Sequence, residues 1–191
     1  MTASHVPYGT VNPTAYSQGR LAARQFALEH DFEETSFCEI PVQWGEQDAN
    51  NHLNNVVFAR YCEAGRLAYI RSLASSLDPA VSKNILGSGK GTGLILAGVS
   101  IAYERPVFAP DTVLVAHKHS EVGPKKILLE SMIYSFSQQA RVAHGTAAMV
   151  AFDYEAQKSS TLPTEVVQLL REKEREREGK TEGMTGGKAK L

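Results

Sequence analysis

An α+β domain, in which an antiparallel sheet wraps one long central helix, is the fold class that the order of elements predicts. Three observations predict it: one helical run too long to be a strand, one short extended segment ahead of it, and a succession of extended segments behind it. At 191 residues, 42% hydrophobic and 21% charged, the chain can bury one real core and has little left for a second full domain.

Taken in order, Ser36 to Val42 is short and mixed apolar, bounded by Pro41 and Trp44, and reads as a first strand leading into a polar loop from Gly45 to Asn54. Beyond the loop, Val56, Val57, Phe58, Tyr61, Ala64, Leu67, Ala68, Ile70 and Leu73 recur at helical intervals with no internal Pro, which predicts the long helix. Its apolar stripe is wide, so a sheet must cover most of it, with Arg60, Glu63 and Arg71 on the remaining face. Asp78 to Gly93 holds Pro79 and glycines at 87, 89, 91 and 93, the composition of a mobile connection. Leu94 to Tyr103, Thr112 to His119, Lys126 to Phe136 and Val142 to Tyr154 then read as strands. Breaks at Pro106 to Asp111, at Gly123 and Pro124, and around Gln138 to Arg141 suit short antiparallel connections. After Pro163 a helix is expected from Thr164 to about Arg177. Its charges alternate from Arg171 to Glu178, pairing opposite signs at i+3 but like signs at i+4, so propensity must hold it. The domain organisation expected is a mobile N-terminal arm over 1–30 with a short helix from Gly19 to Glu29, a core domain over 31–163, a charged helix over 164–178 and a disordered tail over 179–191.

Composition excludes several function classes. Lys and Arg number 20 against 21 Asp and Glu, so a net charge of -1 gives no whole-molecule field for nucleic acid or an anionic membrane. No apolar run approaches the ~20 residues that span a bilayer. Cys38 and Cys62 form no CxxC pair and no metal-ligand spacing, which points to a reducing compartment, the cytoplasm. Residues 1–28 carry Arg20 and Arg24, no acidic residue and much Ser, Thr and Ala, the weak outline of a mitochondrial presequence.

The segment Trp44-Gly45-Glu46-Gln47-Asp48-Ala49-Asn50-Asn51-His52-Leu53-Asn54-Asn55 places carboxylates, an imidazole and several carboxamides directly ahead of the long helix. No core needs that. A helix start exposes unpaired backbone N–H groups and partial positive charge, so it can hold an oxyanion while a nearby carboxylate supplies base or nucleophile. Asp48 and the helix start are the candidate pair. Asp and Asn also suit a plain turn, and Asn54 suits a helix N-cap.

WGEQDANNHLNN followed by VVFARYCEAGRLAY resembles the signature of the 4-hydroxybenzoyl-CoA thioesterase-like hotdog family, in which an Asp precedes a His-Val-Asn-Asn element, a Tyr or Phe, and a Glu on the helix. The resemblance covers about residues 36–163, its specific part lies between Trp44 and Tyr69, and Tyr103 to Val107 with Asp111 look like the family's second-strand exit. It implies a hotdog fold and a hydrolase of acyl-CoA or acyl-carrier-protein thioesters, in fatty acyl or polyketide metabolism. It implies that Asp48 is the catalytic Asp and that backbone N–H groups at Asn55 and Val56 polarise the thioester carbonyl. Plant acyl-carrier-protein thioesterases have a similar Asp-x-Asn-x-His arrangement, which adds Asn50 and His52 as positioning or acid–base partners. Glu63 matches the helix acid, and equally suits an ion pair with Arg60 or Arg66. Arg105, Lys125 and Lys126 stand at strand ends where the CoA phosphates of a relative would emerge, and each suits a solvated surface charge as well. No metal and no redox cofactor is implied, CoA being part of the substrate, and a homodimer or dimer of dimers is expected, with the acyl site between subunits.

Other motifs are weaker. His117 and His119 share one face of a strand without a third ligand at metal spacing, and read as exposed strand histidines. Gly87 to Gly93 lacks the upstream Gly of a phosphate loop and precedes a strand, which argues against nucleotide hydrolysis; the family resemblance implies instead a flexible flap beside the acyl pocket. Two alternatives remain open: another hotdog chemistry, a hydratase or dehydratase, and a non-catalytic acyl-binding subunit.

Overall fold

The computed structural model describes residues 13–186. The chain runs α1 (Pro13–Glu29), β1 (Cys38–Val42), α2 (Asn55–Ala74), α3 (Pro79–Ile85), β2 (Thr92–Tyr103), β3 (Asp111–Val122), β4 (Lys126–Ser135), β5 (Ala140–Asp153), β6 (Lys158–Ser159) and α4 (Thr164–Gly186). The sheet has the order β1-β3-β4-β5-β2, with β6 paired to β5. β1 runs antiparallel to β3, Cys38 opposite Val115 and Val42 opposite Asp111. The described chain divides into two units by contact. The first takes residues up to Tyr69 with Ser100–Lys118 and Glu130–Thr146; the second takes Ile70–Val99, His119–Leu129 and the chain from Ala147 on.

In the first unit, alternation along β3 explains the layers. Val113 and Val115 face one side, where Val57, Phe58, Tyr61 and Cys62 of α2 close a core with Val42, Leu53, Ile133 and Val142. Leu114 and Ala116 face the other, where Ala23 and Ala27 of α1 pack with Met132, Tyr134 and Phe136. A strand buried on both faces reads as a continuous apolar run, as β3 does in sequence. The N-terminal segment is therefore an ordered, docked helix from Pro13, longer than the expected Gly19 to Glu29. Gly19 permits this approach, because a Cβ there would stand 2.3 Å from the Phe136 carbonyl oxygen. Arg20 Nε holds the same helix to Glu39 Oε1 at 2.7 Å. Of the presequence outline, residues 1–12 lie outside the described residues, and the remainder belongs to α1.

His117 and His119, expected at the surface, are both buried, each about 1% exposed. β3 is an inner strand, with β1 and β4 beside it. Gly65 of α2 sits so close to His117 that a Cβ there would be 2.9 Å from the ring. Among the described residues, neither ring nitrogen of His117 has a hydrogen-bond partner. Burial, and secondarily the Arg66 charge, push its pKa down to about 3, so the ring is neutral.

In the second unit, α3 replaces part of the connection read as irregular. Asp78 caps it through Oδ1, which accepts the Ala80 N–H at 2.8 Å, and Pro79 fills the first turn. α4 continues past Glu178 to Gly186, into the stretch expected to be disordered, while 187–191 lie outside the described residues. Val166 and Leu170 of α4 are buried. Arg177 donates to the His119 carbonyl at 3.0 Å and lies 2.8 Å from His119 Nε2; since a guanidinium only donates, that nitrogen accepts. Among the described residues, no helix is long and apolar enough to cross a membrane.

Candidate active site

The polar loop ahead of α2 is held from both ends. Trp44–Glu46 forms a single 3-10 turn closed by a capping box, in which Glu46 Oε2 accepts the Gln43 N–H at 2.9 Å. The Glu46 carboxylate also accepts the Tyr61 hydroxyl of α2, and its carbonyl accepts the Asn54 N–H at 3.0 Å. Burial first, then the bond to Glu46, raise the Tyr61 pKa far above a free phenol, so Tyr61 stays a donor. At the other end, buried Leu53 donates its N–H to Val107 O at 2.7 Å, and Gln47 Oε1 accepts the Ala109 N–H at 2.8 Å.

Between these anchors Asp48 begins a tight loop. Its N–H donates to His52 O at 2.9 Å, its carbonyl accepts the Asn51 N–H at 3.0 Å, and Asn51 takes a φ of 61°, which Asn tolerates. Asp48 Oδ1 accepts the Asn50 N–H at 2.7 Å, fixing the carboxylate, and Oδ2 lies 3.8 Å from His52 Nδ1. Both side chains are partly exposed, 25% for Asp48 and 33% for His52. Asn50 is exposed, and it joins the loop through its backbone N–H.

Asn54 caps α2 as expected, its Oδ1 accepting the Val56 N–H at 3.0 Å and its carbonyl the Val57 N–H at 2.9 Å. This corrects one expected oxyanion donor: the Val56 N–H is taken by the cap. The Asn55 N–H has no acceptor among the described residues, and is the group that a helix start leaves for a ligand. The Asn55 carbonyl accepts the Tyr103 hydroxyl at 3.3 Å, and the Tyr103 ring meets Phe58 edge-on at 5.2 Å. His52, Leu53, Asn55, Phe58, Tyr103 and Arg105 line a cavity of about 350 Å³ at this helix start. Asp48 does not line it, whereas His52, 3.8 Å from the Asp48 carboxylate, does.

A model of the thioesterase-like superfamily matches residues 42–170, from the end of β1 across the Asp48 loop into α4. The chain belongs to the thioesterase-like superfamily. Its fold is the hotdog class. Among solved structures, a candidate thioesterase from Pseudomonas aeruginosa is similar at 25% identity and a TM-score of 0.57, covering 66% of this chain and 91% of that one. A 1,4-dihydroxy-2-naphthoyl-CoA thioesterase from Synechocystis shares the fold at 19% identity and a TM-score of 0.59, covering 70% and 93%. A DHNA-CoA thioesterase from Staphylococcus aureus does so at 15% and 0.56, covering 81% and 95%. α1 lies wholly ahead of the span that the superfamily model matches.

Within this thioesterase-like chain, the remaining sequence candidates scatter. Glu63 is exposed and lines a different groove of about 470 Å³ with Arg60, Tyr61, Ala64 and Leu67. Arg105 forms part of the wall of the helix-start cavity. Lys125 and Lys126 belong to the second unit, where Lys126 lies 3.8 Å from Glu121. Three neighbours escaped sequence reading. Glu104 Oε1 accepts from Arg141 Nε at 2.9 Å and meets His144 Nδ1 at 2.7 Å. Burial works against its charge, but these bonds outweigh it and hold the Glu104 carboxyl below its usual range. The only sequence signal was the polar Glu104-Arg105 pair directly after a strand, without any hint of which later residues it would meet.

Proposed function

We propose that this chain hydrolyses an acyl-CoA or acyl-carrier-protein thioester to a free acid and a thiol, with Asp48 as nucleophile or general base. The observation that carries the reading is the pairing of a fixed carboxylate with an open helix start. Asp48 is clamped by the Asn50 N–H, and Asn55, whose N–H opens α2 without an acceptor among the described residues, lines a cavity together with His52.

As general base, Asp48 takes a proton from water, the water oxygen bonds to the acyl carbon, and the thiolate leaves with that proton. As nucleophile, its oxygen bonds to the acyl carbon and the thiolate leaves; water then cleaves the mixed anhydride, which frees the acid and restores the Asp48 carboxylate while the released proton goes to the thiolate. In either course negative charge develops on the carbonyl oxygen. A donor at the α2 start contributes ~3 to 4 kcal/mol there, about a hundredfold or more in rate. His52, with Nδ1 3.8 Å from Asp48 Oδ2, is a positioning partner for the carboxylate in this proposal. Phe58 and Tyr103 offer an apolar wall to the acyl group.

The unit of activity in this proposal is a homodimer or larger. β2 ends the sheet with no further strand beyond it among the described residues, and its Leu96 and Val99 are exposed. Sedimentation should give a dimer, and a stable active monomer would refute that part. Both cysteines are free thiols, which suits a reducing compartment such as the cytoplasm.

The test is thiol release from short, long and aromatic acyl-CoAs and an acyl-carrier-protein thioester, followed with a thiol-reactive dye. Release from at least one of them supports the reading. Tight acyl-CoA binding with no release from any thioester would instead indicate a binding subunit.

A further inference from the structure

The helix that precedes the superfamily span builds a second concavity. A groove of about 400 Å³ runs between α1 and the sheet, lined by Phe26, His30, Tyr134, Glu104, Arg105 and Arg141. Its volume falls in the range of small-ligand sites. One wall is aromatic: the Phe26 and His30 rings stack at 4.1 Å and 23°, and Phe26 meets Tyr134 at 5.2 Å. His30 Nδ1 is engaged by the Phe26 carbonyl at 2.8 Å and Lys118 donates to the His30 carbonyl at 2.9 Å, so this wall is fixed on both sides.

The opposite wall is cationic. Glu104 is the only acid among the lining residues, and its charge is taken up by Arg141 Nη2 at 2.7 Å and His144 Nδ1 at 2.7 Å. Arg105 has no ionic partner among the described residues, so the groove keeps a net positive charge. Glu104 and Arg105 also line the cavity at the α2 start, so the two concavities share a wall. A ligand that fits both carries a thioester at one end and an anionic aromatic group at the other, joined by a thin arm.

We propose that the α1 groove seats the adenosine phosphate end of coenzyme A, so that the thioester reaching Asn55 arrives as an acyl-CoA. The inference rests on the reading under Proposed function and selects one of its two carriers. Phosphate pairs with Arg105, and the adenine ring lies on the Phe26–His30–Tyr134 surface. A carrier protein presents the same arm but no base, and would leave that aromatic wall unused.

The experiment combines binding and turnover in the full chain. Adenosine 3′,5′-bisphosphate and CoA are titrated calorimetrically at low salt into wild type, Arg105→Glu and His30→Glu, each shown by circular dichroism to be folded. Both exposed substitutions should weaken both ligands at least tenfold. An azidoadenine bisphosphate should photolabel the peptides that hold Phe26, His30 or Tyr134. In turnover, the ratio of kcat/KM for an acyl-CoA to that for the same acyl N-acetylcysteamine thioester should fall at least tenfold in each variant. Labelling elsewhere, unchanged binding, or an unchanged ratio overturns the groove while leaving thioester hydrolysis standing. A carrier-protein thioester that loses as much as acyl-CoA also overturns it, because the surface would then be a protein dock. If no thioester is cleaved, binding lost in both variants keeps the groove and sinks the hydrolase instead.

Discussion

Buried His117 makes the first unit acid-sensitive in a way that can be calculated. In the unfolded chain an imidazole titrates near 6.5, and in the fold burial and the Arg66 charge bring it down to about 3. The folded state thus refuses a proton that the unfolded state accepts between those values. Stability from this residue is fully present above pH 6.5, begins to fall below it, and goes on falling until about pH 3. The slope in that window is about 1.4 kcal/mol per pH unit, so a drop from pH 7.5 to 5 removes roughly 2 kcal/mol. His117→Leu abolishes the titration without orphaning a partner, since neither ring nitrogen is bonded. The assay is urea denaturation of wild type and His117→Leu at both pH values and one protein concentration, which keeps any dimer equilibrium fixed. Other ionisable groups cancel in the comparison. The wild type should lose about 2 kcal/mol more than the variant on acidification. Parallel losses in the two proteins would refute the reasoning and imply a protonated or hydrated His117 in the fold.

Two further substitutions test how α2 is placed. Asn54→Ala removes the acceptor of the Val56 N–H and should cost about 1 kcal/mol in urea denaturation, with a loss of thioester turnover because the α2 start frays. Gly65→Ala gains about 1 kcal/mol of helix propensity, but the new Cβ meets Val115 Cγ1 at 2.7 Å and the His117 ring at 2.9 Å. Both neighbours are fully buried, so overpacking of about 1 to 3 kcal/mol should win, and a stabilised variant would contradict the close packing of α2 on β3.

Hydrophobic periodicity made α2 and the strands legible, and the Asn54 cap could be read from its position before a helical run. The cap also explains why Val56 could not be a donor, a consequence that needed the observed bond. Histidines 117 and 119 were misread because a strand covered on both faces has no polar face to announce it. His117 is covered by Gly65 of α2 and His119 meets Arg177 and Glu174 of α4, both far away in sequence. The same holds for Glu104, whose partners Arg141 and His144 arrive on β5. Asp78 and Pro79 are a proper helix start, but the glycines that follow α3 masked a helix of only seven residues. Local signals were readable, whereas contacts made by distant segments were not.

The proposed hydrolysis stands or falls with the Asp48 carboxylate acting at the α2 start. Its most direct test is single-turnover cleavage of the best acyl-CoA by wild type and Asp48→Ala, with binding of a non-cleavable thioether analogue measured on both. Asp48→Ala should bind the analogue within a few-fold of wild type and lose nearly all cleavage. Cleavage by Asp48→Ala at the wild-type rate would contradict this and move the catalytic role to another residue.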